Sequence, residues 1–205
     1  MAGNHFVASI DIGTEKIALL VAEQEDDDRL RIFAYNACPS KGVERGSISS
    51  IDFLSREITQ LIKKTEESFD LDLIRVRVNI SDTHLTCKDN SSRLHIDEKV
   101  KSEDVESVVD SASAITTSTN KQEIHTIKKK FTINEESEVD DPMDMEANVL
   151  EAKVHIITVS SSSVRNIENC LKQSNLEVED IVLNSIAKSH AVLSKEQKNS
   201  GVCLL

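Results

Sequence analysis

The chain opens as a series of short apolar runs broken by turn residues. Phe6 to Ile12 and Lys16 to Glu23 meet at Asp11-Ile12-Gly13-Thr14, which predicts two strands joined by a tight turn. After the polar turn EQEDDDR, Leu30 to Ala37 alternates as a third strand, with Leu30, Ile32 and Ala34 expected on one face. The segment CPSKGVERGSISS, punctuated by Pro39, Gly42 and Gly46, reads as an irregular loop. Ser49 or Ser50 is then placed to cap a helix with Asp52 in its first turn. Ile51, Leu54, Ile58, Leu61, Ile62 and Phe69 fall at helical spacing, so one face of that helix packs on a sheet. Leu73 to Ile80 alternates again and predicts a fourth strand.

Near Asp82 the texture changes. Residues 82–99 are polar with short extended pieces, and Ser102 is the expected N-cap of a helix with Val105, Val108, Val109 and Ala112 as its apolar stripe. SASAITTSTN reads as the end of that helix and a solvated linker. Ile124 to Ile133 is a strand carrying Lys128-Lys129-Lys130, NEESEVDDPMDMEAN an acidic loop, and LEAKVHIIT a strand with Leu150, Ala152, Val154 and Ile156 on one face. A basic strand beside an acidic loop fits a mutually screened, solvated surface, with a specific partner site as the alternative. Together, residues 82–160 look like a small α+β unit set into something larger. After it come a helix with Ser161–Ser163 as caps and Val164, Ile167 and Leu171 on one face, ending at Asn175, which tolerates the left-handed cap conformation. Val178 to Leu183 is a strand, Ile186 to Leu193 a helix, and Gly201-Val202-Cys203-Leu204-Leu205 is expected to begin another strand. An apolar strand without neighbours suggests a fragment of a longer protein.

Composition narrows the class. The 205 residues are 39% hydrophobic and 29% charged, with no Trp and one Tyr, so Ile, Val and Leu must build the core. A net charge of −12 argues against nucleic acid as a partner. Cys38, Cys87, Cys170 and Cys203 are scattered, with no CxxC, and read as reduced thiols of a cytosolic protein. The start MAGNHFVAS lacks the pattern of a signal peptide, and the longest apolar run, Ile17 to Ala22, is too short to span a bilayer.

The order strand, strand, strand, helix, strand, insert, helix, strand, helix is that of a ribonuclease-H-like half-domain, whose first hairpin holds phosphates. In that setting the N–H groups of Gly13, Thr14 and Glu15 converge on a phosphate oxygen as a nest. The Thr14 hydroxyl adds a donor, Lys16 adds positive charge, and Asp11 holds a hydrated Mg²⁺, which usually keeps most of its waters. Taken alone, the four turn residues fit an ordinary hairpin better.

A longer set of motifs resembles the FtsA family of bacterial actin-like cell-division proteins. The matching segments, in family order, are DIGTEKIALLVAE, CPSKGVERGSI with its helix, VRVNIS, EDVESVVDSA, EAKVHIIT and the final stretch into GVCLL. The resemblance implies an α/β, actin-like ATPase-fold half-domain: subdomain IA in 1–81 and 161–205, with the small α+β subdomain IC inserted at 82–160. Subdomains IIA and IIB, and the C-terminal membrane helix of the family, have no counterpart here. Ser92-Arg93, Asp144 and Ala147 stand where the family usually has glycine, which leaves the IC loop conformations open, whereas Asn175 replaces another such glycine mildly, since it tolerates the left-handed conformation.

By the same resemblance, the expected function is a nucleotide-binding scaffold that helps tether the FtsZ ring to the cytoplasmic membrane and recruits later septation proteins. FtsZ would dock through IIB, and self-association and later division proteins through 82–160. The expected place is the cytoplasmic face of the inner membrane at the division site. Related filament proteins carry a carboxylate at the start of the helix after the last IA strand. Here that segment is Ile181-Val182-Leu183-Asn184-Ser185-Ile186-Ala187, and Asn184 orients water without acting as a base. ATP and Mg²⁺ are therefore expected to bind with slow or negligible hydrolysis, and weakly or undetectably in these residues alone. The alternatives are an ATP-hydrolysing enzyme of the sugar-kinase and chaperone superfamily, and an interaction module that has lost nucleotide.

Overall fold

The computed structural model describes residues 6–25, 29–114 and 118–204. Parts of the expected EQEDDDR turn (26–28) and SASAITTSTN linker (115–117), and Leu205, lie outside the described residues. In chain order the elements are β1 (Phe6–Ile12), β2 (Lys16–Gln24), β3 (Leu30–Pro39), β4 (Val43–Glu44), β5 (Ser47–Ile48), α1 (Ile51–Phe69), β6 (Arg75–Ile80), β7 (Thr86–His95) and α2 (Ser102–Ser113). There follow β8 (Lys121–Ile133), β9 (Ser137–Val139), β10 (Val149–Ser160), α3 (Ser161–Gln173), β11 (Glu177–Leu183), α4 (Asn184–Val192) and α5 (Lys195–Ser200). Two compact units part between Thr83 and His84 and between Ser161 and Ser162.

The first unit holds a five-stranded sheet in the order β11-β6-β1-β2-β3. β1, β2 and β3 are an antiparallel meander, whereas β6 runs parallel to both β1 and β11. Ile10 lies opposite Leu19, and both are buried with Ile17, Val21 and Ala34. Asn36 Nδ2 on β3 donates to Thr65 Oγ1 on α1 at 3.0 Å, which shows that this face of the sheet meets α1. Leu54, Ile58, Leu61 and Ile62 of α1 and Val164, Ile167 and Leu171 of α3 complete the core. Ser50 caps α1, its hydroxyl accepting from the Phe53 N–H at 3.4 Å. Asn175, at φ 59°, closes α3 in the left-handed conformation expected of it.

Three local expectations in this unit are corrected, and one helix is added. Leu30, Ile32 and Ala34 do not share a face: the β2–β3 register shifts between Val21/Ala34 and Ala22/Ile32, leaving Phe33 as the extra residue of a bulge that reverses the alternation. Ala34 is buried, but Leu30 and Ile32 are 61% and 68% exposed. The CPSKG segment is not irregular throughout, since β4 and β5 pair across a tight turn in which Arg45 and Gly46 take φ 50° and 78°. A capped helix, α5, occupies the polar Lys195–Ser200, with the Ser194 hydroxyl accepting from the Gln197 N–H. Residues 201–204 form no strand and are exposed.

In the second unit, an antiparallel sheet in the order β7-β10-β8-β9 carries α2 on one face. Leu150, Ala152, Val154 and Ile156 of β10 are buried against Val108, Val109 and Ala112 of α2, as the alternation predicts. The stretch expected as short extended pieces contains one continuous strand, β7, at the sheet edge and largely solvated. The acidic stretch holds the fourth strand of the sheet, β9, after a turn in which Asn134 and Glu135 take positive φ. The N-cap of α2 is Lys101, one residue before the expected Ser102, and its N–H donates to Asp104 Oδ2 at 2.9 Å. Asp144 adopts φ 61°, so it takes up the glycine-like conformation itself. Ser92 and Arg93 are regular β7 residues paired with Ala152 and Glu151.

Candidate functional site

Parallel strands β1, β6 and β11 end side by side at one edge of the first sheet, the place where open α/β sheets bind ligands. Asp11 sits at the end of β1, exposed, opposite Ala18 of β2. Asn79, only 8% exposed, lies at the end of β6. Its Nδ2 donates to Asp11 Oδ1 at 2.6 Å, and its Oδ1 accepts from the Ile12 N–H at 2.7 Å. Lys16 is exposed and points to the same side as Ala18 and Asp11, because Ile17 between them faces the core at 0% exposure.

The turn itself differs from the expected nest. The Gly13 N–H donates to the Lys16 carbonyl at 3.0 Å, which leaves two amides, those of Thr14 and Glu15, for an anion. None of residues 13–16 takes positive φ, so the alternating backbone of a nest is absent. Gly13 is needed for space: a Cβ there would stand 3.0 Å from the Lys16 carbonyl oxygen. The CPSKG segment braces the turn from outside. The Ser40 N–H donates to the Glu15 carbonyl, and the Gly46 N–H to Thr14 Oγ1, each at 3.0 Å. With its oxygen accepting from Gly46, the Thr14 hydroxyl keeps its proton to donate elsewhere.

Asn184 is the first residue of α4, and its Nδ2 donates to Ser81 Oγ at 3.2 Å, tying that helix start to the end of β6. A cavity of about 70 Å³ beneath this edge is lined by Ile12, Gly46, Asn79, Ser81, Ser163 and Asn166. Ligand pockets run to roughly 300–1,000 Å³, so this cavity suits a few waters. Among the described residues no group of three or more His, Cys, Asp or Glu side chains is arranged to hold a metal. A single carboxylate fits Mg²⁺ held mostly through water, and fits poorly a metal that needs a full protein cage. Asn79, Gly46 and Ser81 carry no sequence signal for this role, since their partners lie far away in the chain.

Comparison with known proteins shows what these features resemble. Residues 83–158 match the SHS2 domain inserted in FtsA. The cell division protein FtsA of Pseudomonas aeruginosa is 30% identical over 200 residues, covering 97% of this chain and 48% of that protein. The cell division protein FtsA of Borreliella burgdorferi is 31% identical over 204 residues, covering 98% of this chain and 49% of that protein. The chain thus spans about half the length of the curated relatives it matches. Among solved structures, the PilM–PilN type IV pilus biogenesis complex shares the fold, with a TM-score of 0.55 and 12% identity over 90% of this chain and 49% of that one. Sequence, insertion and topology agree: the chain is FtsA-like over nearly its whole length, an actin-like α/β half-fold interrupted by the SHS2 domain that FtsA carries.

Proposed function

We propose that this chain serves in cell division as an ATP-binding, actin-like scaffold, with the phosphates held at the β1–β2 hairpin. The observation that carries this reading is the Asp11 carboxylate, held by Asn79 at the ligand edge of the sheet. Thr14 and Glu15 would supply amide donors, Lys16 positive charge, and Asp11 a contact to a hydrated Mg²⁺ that neutralises phosphate charge. Asn184 would orient a water near the terminal phosphate. With no carboxylate in 181–187 to take its proton, turnover stays well below the roughly 1–100 s⁻¹ of kinases.

The relatives' shared name supports a division role, and within that role we assign FtsZ-ring tethering and recruitment of later septation proteins at the cytoplasmic face of the inner membrane. Self-association and recruitment belong to residues 82–160, FtsZ docking to the IIB subdomain of the family. No helix among the described residues is long and apolar enough to cross a membrane. Crosslinking of assembled protein that finds no contact from 82–160 removes the assignment to that segment. The nucleotide reading is tested by Asp11→Ala in the complete protein: ATP affinity in the presence of Mg²⁺ should fall at least tenfold, and unchanged affinity would make the hairpin purely structural.

A further inference from the structure

We propose that Asn79 is a positioning residue for the Asp11 carboxylate, holding one oxygen so that the other is presented to the hydrated divalent cation of a bound nucleotide. This rests on the nucleotide reading above and adds the group that gives the site its geometry.

The orientation of the Asn79 amide is settled by its partners. A backbone N–H only donates, so the atom 2.7 Å from the Ile12 nitrogen must be the Asn79 oxygen. The NH₂ end therefore faces Asp11, where it donates to Oδ1 at 2.6 Å. Oδ2 takes no partner among the described residues. The parallel register of β1 and β6 runs through Ser9↔Arg77 and Ile10↔Val78 and stops there. Asn79 thus adds one side-chain rung where the backbone ladder has ended, and holds the two strand ends at a fixed separation.

Two features separate aim from mere stability. Asn79 is buried and belongs to the scaffold, whereas Asp11 is exposed and would be well solvated without any protein donor. A hydrogen bond to such a carboxylate replaces one to water and contributes little to folding. What it does remove is rotation of the carboxylate about its own axis. Partners of this kind, which touch a metal-directed ligand and not the metal, typically change metal affinity by about 10- to 100-fold when lost.

The test is a titration of the complete protein with ATP, with and without Mg²⁺, for wild type, Asn79→Leu, Asp11→Asn and the double variant. Asn79→Leu keeps the branched side-chain shape and removes both hydrogen bonds. Mg²⁺ should tighten ATP binding to wild type, and Asn79→Leu should lose most of that gain, on the order of tenfold, with Mg²⁺-free affinity unchanged. Asp11→Asn should lose the same gain, and the double variant no more than either. If Asn79→Leu fails to fold, Asn79→Ser, too short to reach Asp11, takes its place. An Asn79 variant that keeps the Mg²⁺ gain, or weakens binding equally with and without Mg²⁺, overturns the inference and leaves the nucleotide reading standing. A wild type that gains nothing from Mg²⁺, or an Asp11→Asn variant that keeps the gain, overturns both.

Discussion

The Gly46 N–H donates to Thr14 Oγ1 at 3.0 Å, so the β4–β5 turn is fastened to the β1–β2 turn. Gly46 sits at φ 78°, and a Cβ there would meet Ser81 Cβ at 3.2 Å. A non-glycine residue at positive φ costs about 1–2 kcal/mol, and the steric contact adds to it. Gly46→Ala should therefore lower the melting temperature by several degrees and weaken ATP binding through Thr14. Gly42 is more demanding, because its Cβ would lie 2.4 Å from the Ser50 carbonyl oxygen at the start of α1. Gly201 has positive φ but nothing within 4 Å. Thermal unfolding should rank the alanine variants Gly42, Gly46, Gly201 from most to least destabilised.

Leu150 is fully buried at the centre of the second unit, between α2 and the β10 neighbours. Leu150→Ala should cost about 2–5 kcal/mol through lost burial and the cavity left behind. Hydrogen exchange should locate the loss, with amides of 84–161 exchanging faster and those of β1, β2 and α1 little changed. An even acceleration through both units would contradict the assignment of separate cores.

The success of sequence reading tracks how locally each element is determined. α1 announces itself through Ser50, Asp52 and its apolar spacing, and β10 through strict alternation that ends in a fully buried face. β7 is invisible because Lys88-Asp89-Asn90-Ser91-Ser92-Arg93 is polar on both faces: an edge strand needs pairing, not burial. The β3 bulge inverts two residues that pure alternation puts inward. At the candidate site the turn residues were legible as a motif. Asn79 was not, because its two bonds join residues 67 and 68 positions away, and no local pattern encodes such a contact.

Asp89 lies on the solvated face of the second sheet and takes hydrogen bonds from His155 Nδ1 at 2.6 Å and Lys129 Nζ at 2.9 Å. These two bonds, that of His155 first, hold its carboxyl below the ordinary carboxylate range. A depressed carboxylate gives its stabilisation in full above the unfolded-state pKa and loses it as pH falls through the folded one. Its side-chain carbon should thus titrate in NMR at lower pH than free aspartate. His155→Ala should move that midpoint upward, and further than Lys129→Ala does. A midpoint unmoved by either change would contradict the pairing.

The central claim is that the β1–β2 hairpin binds nucleotide phosphates, and residue-resolved NMR titration of the chain with Mg²⁺ and ATP tests it most directly. At millimolar ATP the amide signals of residues 13–16, Gly46 and Asn184 should shift together with one weak affinity, and Asp11→Ala should abolish the shifts. Saturable shifts confined to other parts of the chain, with none at residues 13–16, would contradict it.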